Sequence, residues 1–191
     1  MTRHNEPAPH WHPFDTAIGG CGIAWRNDTI VATTLPERSL KVTVARLERI
    51  TGGREGEPPP AIRQVVESIV ALLNGERVDL NDAPCDFSKV TTFDARVYEV
   101  ARAVPPGETS TYGNIARELG DPQLAQSVGG ALGRNPFPII VPCHRIIGAN
   151  GKLTGFSAHG GVKTKLEMLM IEGARFGDQP GLFDDLPMTS R

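Results

Sequence analysis

Val141-Pro142-Cys143-His144-Arg145-Ile146 sets a thiol, an imidazole and a guanidinium in three consecutive positions. The thiolate is the nucleophilic form of cysteine, and positive neighbours lower its free pKa of about 8.5. The run therefore predicts covalent chemistry on the Cys143 sulfur, in an electropositive setting supplied by His144 and Arg145. Pro142 removes a donor and restricts Val141, which helps fix how the apolar run Pro138-Ile139-Ile140 hands over to the reactive turn. A nucleophile of this kind needs a base to take its proton and a group to orient that base. Glu172 falls at the end of a helix-like run, where a carboxylate opposes the macrodipole and a structural role is poorly motivated.

The elements that must carry these residues divide into two halves. Residues 1–13 are rich in Pro and His and are expected to be flexible. Residues 14–87 read as a small α/β unit. Residues 23–32 form two short strands around Asn27-Asp28, a helix covers 40–50 with Leu40, Val44, Leu47 and Ile50 in register, and residues 52–60 form a loop. A second helix spans 61–73 and stops at Asn74-Gly75. Residues 88–174 are mainly helical. Thr91 or Thr92 caps a helix whose face carries Phe93, Val97, Val100 and Val104, and Ser110 or Thr111 caps a helix over 112–119. A third helix follows over about 123–133, so the last two form a helix-turn-helix pattern. Gln126, Ser127, Gly129, Gly130, Ala131 and Gly133 give it a small or polar face, which suits either tight helix packing or close approach to a ligand. Residues 175–191 read as an acidic flexible tail.

Bulk properties exclude several classes. Hydrophobic content of 39% and charge of 22% are those of a globular protein rather than a disordered one, and no apolar run is long enough to span a membrane. The first residues lack the apolar core of a signal peptide, and three cysteines leave at least one unpaired, so a reducing cytoplasm is expected. Net charge is −2, distributed as −3 over 1–87, +3 over 88–175 and −2 over 176–191. Only the cysteine-bearing half could meet a phosphate backbone favourably, and the imbalance is permissive rather than diagnostic.

Taken in order, Thr109-Ser110-Thr111-Tyr112-Gly113-Asn114, Ser127-Val128-Gly129-Gly130, Arg134-Asn135-Pro136, Pro142-Cys143-His144-Arg145, Leu153-Thr154-Gly155-Phe156-Ser157 and Ile171-Glu172-Gly173 resemble the O6-alkylguanine-DNA alkyltransferase family. The resemblance is strong over 88–174 and weak over 14–87. It implies a ribonuclease-H-like N-terminal domain without that activity, then a winged-helix-like, helix-turn-helix domain that enters the DNA minor groove. The implied reaction moves an alkyl group from guanine O6 in double-stranded DNA to Cys143, once per molecule and without a cofactor. Through the resemblance His144 is linked to the cysteine by a water and oriented by Glu172. Tyr112 turns the nucleotide out of the stack and donates a proton to guanine N3, because O6 lies inside the duplex. Asn135 holds the active-site loop, and Ser157, Phe156, Val141 and Ile146 surround the base, with carbonyls of Cys143 and Ile146 accepting from its exocyclic amine. Gln126, Ser127, Gly129, Gly130, Arg134 and Arg145 are the implied DNA contacts.

Two positions depart from the family pattern. Gln126 stands where an arginine usually fills the gap left by the extruded base; it can hydrogen-bond but lacks the cation, which predicts weaker duplex affinity with the chemistry intact. Phe156 stands where tyrosine is frequent and gives up one hydroxyl. The competing function is a non-reactive alkyl-lesion-binding protein, but relatives of that kind lack the cysteine. A Cys-His-Glu hydrolase is the third class, and no oxyanion-hole motif supports it. His10, His12, Cys21 and Cys85 match no standard zinc spacing, so no metal site is expected. Gln179-Pro180-Gly181-Leu182-Phe183 resembles a peptide that docks on bacterial sliding clamps. The chain is expected to act as a monomer.

Overall fold

Alternation along one strand builds the first half of the molecule. In the computed structural model, which describes residues 6–174, β2 (Gly19–Arg26) turns Cys21, Ile23 and Trp25 to one face and Gly22 and Ala24 to the other. The first set packs on α2 (Pro60–Leu73) through Ile62, Val65, Ile69 and Leu72. The second packs under α1 (Leu40–Thr51), where Leu47 joins Trp11, Ala24 and Ala32. A Cβ on Gly22 would sit 2.2 Å from Leu47, so glycine is what lets α1 lie this close. β1 (His10–Thr16) and β3 (Thr29–Thr34) pair antiparallel with β2, and β4 (Arg54–Glu55) pairs parallel with β1, giving the order β3-β2-β1-β4. Ala24 opposes Ala32 while Trp25 opposes Ile30, so Val31 is the extra residue of a bulge, and the faces of β3 switch there.

Three expectations change. The first strand begins at His10, inside the segment expected to be flexible: Trp11 is buried and His10 stacks on Trp25 at 6.0 Å, which outweighs a Pro/His-rich composition. On α1 the buried positions are Thr43 and Leu47, with Val44 packed beside them, while Leu40 and Ile50 face solvent, so the apolar period marked the helix and only half of its inner face. Two residues of the loop expected over 52–60 form β4. The acidic tail and the clamp-like residues Gln179 and Phe183 lie outside the described residues.

The second half is helical, and its caps follow from sequence. Thr91 Oγ1 accepts from the Asp94 amide at 3.0 Å to start α3 (Thr92–Arg102), and Thr111 Oγ1 accepts from the Asn114 amide at 3.1 Å to start α4 (Tyr112–Glu118). Each such cap is worth about 1 kcal/mol. Gly120, at φ 97°, turns the chain toward α5 (Ala125–Gly133), whose Val128, Ala131 and Leu132 are buried. β5 (Ser110–Thr111) pairs parallel with β6 (Ile146–Ile147), which ties the start of α4 to the residues just after Cys143-His144-Arg145. α6 (Val162–Ile171) closes the described chain and ends at Glu172. One apolar cluster runs from Ile23 and Ile69 through Val97 and Tyr98 to Val128 and Met168, so both halves share a core. Among the described residues no helix is long and apolar enough to cross a membrane.

Candidate active site

Cys143, His144 and Arg145 form a single 3-10 turn between the buried run at residues 139–141 and β6. Such a turn sends successive side chains in different directions. His144 and Arg145 both go inward to Glu172, the residue that ends α6. The carboxylate accepts from His144 Nε2 at 2.9 Å, from Arg145 Nε at 2.9 Å and from Arg145 Nη2 at 2.8 Å, and Arg145 Nη1 donates to the Val104 carbonyl at 2.7 Å. These three side chains are almost completely buried. Burial alone would raise the Glu172 pKa, but His144 and Arg145 overcome it and hold the carboxyl at about 2. Burial pushes the His144 pKa down, so the imidazole is neutral at pH 7. With its Nε2 proton on the carboxylate, the lone pair sits on Nδ1, which is buried and has no partner among the described residues. This is the tautomer of a base ready to accept a proton.

Arg145 is thereby corrected: a guanidinium with 6% of its side chain exposed and bound to Glu172 cannot reach a phosphate. Nor do His144 and Arg145 supply the electropositive setting expected for the sulfur. Burial pushes the Cys143 thiol up, opposed by Asn135, by the charge of Lys165 and by the backbone amides of Cys143 and His144. Lys165 is the residue that sequence reasoning missed. It is fully buried on α6, donates to the Ile146 carbonyl at 2.6 Å and the Thr154 carbonyl at 3.1 Å, and lies 5.8 Å from the Tyr112 ring and 6.0 Å from that of Phe156. Desolvation lowers its pKa to about 8. The signal was present: Lys165, Met168, Leu169 and Glu172 share one helical face, so a lysine stands on an apolar stripe.

Asn135 lies in the loop that leads to Cys143. Its Nδ2 donates to the Val141 carbonyl and its Oδ1 accepts from the Phe137 amide, each at 2.9 Å, so one side chain closes the loop that leads to Cys143. That loop is strained: Ile139 has φ 78°, a region that costs a β-branched residue about 1–3 kcal/mol. Tyr112 Oη donates to the Thr154 carbonyl at 3.1 Å, and burial followed by the nearby Cys143 raises its pKa, which keeps the phenol protonated. Gly155, at φ 67°, leaves room for that hydroxyl, since a Cβ there would lie 3.0 Å from it.

A cavity of about 270 Å³ is bounded by Cys143, Asn135, Pro138, Phe156 and Ser157 and, from the sheet half, by Thr33. Ser157 Oγ donates to the Gly133 carbonyl at 3.4 Å on the cavity rim. Val141 and Ile146 do not line the cavity with their side chains, which are fully buried. The Ile146 carbonyl already serves Lys165, leaving one lone pair. α5 exposes Gln126, Ser127, Gly130 and Gly133, while Gly129 is half-buried with its Cα turned toward the Tyr112 ring. Arg134 is exposed and paired with the buried Asp94 at 2.9 Å. The other two thiols lie apart from this site: burial pushes Cys21 and Cys85 each up to about 12.

Residues 92–174 match the family model described as the DNA-binding domain of 6-O-methylguanine DNA methyltransferase, which defines the class. The chain is 42% identical over 175 residues to the methylated-DNA–protein-cysteine methyltransferase of Mycobacterium tuberculosis, covering 92% of this chain and 99% of that one. A crystal structure of Mycobacterium tuberculosis OGT in complex with DNA superposes with a TM-score of 0.70 at 34% identity, covering 86% of this chain and 92% of that one. A DNA base-flipping protein of Thermus thermophilus is 43% identical over 122 residues, covering 64% and 80%. The chain belongs to the methylated-DNA–protein-cysteine methyltransferase family.

Proposed function

We propose that Cys143 is the acceptor in a single-turnover methylated-DNA–protein-cysteine S-methyltransferase that repairs O6-alkylguanine in double-stranded DNA. The observation that carries this is the neutral His144, fixed on the ionised Glu172 with its Nδ1 free, one residue from a cysteine that borders a cavity. The thiol proton passes through a bridging water to His144. A sulfur lone pair attacks the alkyl carbon, the carbon–O6 bond breaks, and the departing guanine is protonated at N3 by Tyr112. The product thioether has no hydrolytic exit, so each molecule acts once. Lys165 and Asn135 favour the thiolate against the cost of burial. Ser157 and Phe156 hold the base, with the carbonyls of Cys143 and Ile146 facing its amine.

The exposed small face of α5, carrying Gln126 and Ser127, enters the minor groove, with Arg134 at its end. The sheet half, from β1 at His10 to residue 87, is a ribonuclease-H-like scaffold, supported by its strand order with helices on both faces. Residues 88–174 form the winged-helix-like module, supported by the α4–α5 pair and the small β5–β6 sheet. The protein works as a cytoplasmic monomer, and residues 179–183 are a sliding-clamp peptide.

Mixing the protein with a duplex holding one O6-methylguanine and taking an intact mass tests the central claim. One added methyl per chain, mapped to the Cys143 peptide and absent from Cys143→Ala, is the expected result. Lesion binding with no mass gain would make the chain a damage-binding protein, the reading that its likeness to the Thermus base-flipping protein favours.

A further inference from the structure

β3 is an edge strand, and an edge leaves a row of backbone groups in need of partners. Two segments from elsewhere fill that row. At Ile30 the amide donates to the Pro84 carbonyl at 2.7 Å and the carbonyl accepts from Asp86 at 2.8 Å. At Thr33 the partner is the active-site loop: the amide donates to the Pro136 carbonyl at 2.9 Å, and the hydroxyl donates to the Pro138 carbonyl at 2.7 Å. Pro136 and Pro138 have no N–H, and the Phe137 amide is turned inward to Asn135, so this loop can only accept from the strand.

We propose that Thr33 is a positioning residue for alkyl transfer, and that the free edge of β3 holds the nucleophile loop in its reactive shape. The Pro138 carbonyl belongs to the peptide plane that precedes Ile139, and rotation about the next bond is the φ of Ile139, held at 78°. Gripping that carbonyl fixes the plane against which the strained residue is set. Ile139 cannot relax to negative φ without swinging either the gripped peptide or the chain that reaches Cys143 four residues on. Asn135 braces the loop from within, and Thr33 braces it from the other half of the molecule, 105 residues away in sequence. Thr33 is 3% exposed, so water does not compete for the hydroxyl bond, and it borders the same cavity as Cys143. The sheet half therefore contributes to the rate of transfer. This inference rests on Cys143 as the alkyl acceptor.

Thr33→Val deletes the hydroxyl at nearly constant volume and keeps the backbone bond; Thr33→Ser keeps the hydroxyl; Thr33→Ala repeats the deletion with a smaller side chain. Single-turnover methyl transfer from an O6-methylguanine duplex, measured over a range of protein concentrations, separates lesion affinity from the first-order transfer constant. Thr33→Val and Thr33→Ala are expected to lower the transfer constant about tenfold, equivalent to about 1.4 kcal/mol of barrier. Affinity should stay within twofold, and Thr33→Ser should recover most of the rate. Leu47→Val, in the separate cluster under α1, supplies a control of comparable thermal loss and should transfer at the wild-type rate. Transfer by both hydroxyl-deleted variants within twofold of wild type would overturn the proposal, as would equal slowing in Leu47→Val. A wild-type chain that takes up no methyl would instead overturn the acceptor assignment, and this inference with it.

Discussion

Replacing Glu172 by glutamine changes one oxygen to an NH2 in a place where three N–H groups converge on a carboxylate. If the remaining oxygen serves His144 and Arg145 Nη2, the new NH2 faces the Arg145 Nε–H, donor against donor. If the amide is flipped, the NH2 meets His144 and Arg145 Nη2 instead. In either pose Arg145 is left buried without a counter-charge, and removing one partner of such a pair costs about 3–5 kcal/mol. The displacement of the carboxyl from its usual 4.5 to about 2 gives a second figure, about 3 kcal/mol. With a urea m-value of about 2 kcal/mol/M, Glu172→Gln should lower the unfolding midpoint at pH 7 by about 1.5 M, followed through Trp11 and Trp25 fluorescence.

The sign with pH is fixed by the same numbers. The folded carboxyl titrates below the unfolded one, so the unfolded chain binds the extra proton, and this stability is complete above about pH 4.5 and lost as pH falls toward 2. The gap between wild type and Glu172→Gln should therefore narrow across that window, and adding Arg145→Met to the variant should recover stability by removing the stranded charge. Methyl transfer by folded Glu172→Gln should fall at least tenfold as His144 loses the negative charge that favours its protonated form. A midpoint shift under 0.5 M, or parallel loss of stability in both chains below pH 4.5, would refute the buried-pair argument.

Lys165 loses its charge near pH 8 while burial holds the Cys143 thiol above its ordinary range, so transfer should rise with pH as the thiol ionises and level off above about 8; Lys165→Met should be slower and lack that break in a pH–rate profile. Asn135→Ala removes two 2.9 Å bonds from the loop and should lose about 2 kcal/mol in urea unfolding, with a slower transfer constant. Gln126→Arg restores a cation to the exposed face of α5; duplex affinity should rise, with a steeper salt dependence by about one unit in a log–log binding titration and an unchanged transfer constant.

The caps at Thr91 and Thr111, the stop at Asn74-Gly75 and the turn at Asn27 could be read from the chain because each is a local event, decided within four residues. Asn135 and Glu172 were also legible, the first as a turn residue and the second as a charge misplaced at a helix end. What escaped depends on distance or direction. Arg145 was assigned to DNA because neighbours in sequence do not reveal which way a 3-10 turn sends them. The exposure of Leu40 and Ile50 follows from how much surface β2 and β3 offer, not from the helix itself. Thr33 could not be found at all, because nothing within its own strand points to a loop 105 residues away.

The burial of Cys21 and the partial burial of Cys85 bear on how the protein is spent in the cell. A reagent consumed one molecule per lesion is useful only if each molecule counts once. Three thiols sit in this chain, and promiscuous alkylation would spoil the tally by spending protein on small electrophiles or by loading a second adduct. With two of them held near pKa 12, almost none of their sulfur is thiolate at neutral pH, so they do not compete. Keeping the two spectator thiols protonated thus helps hold the count to one.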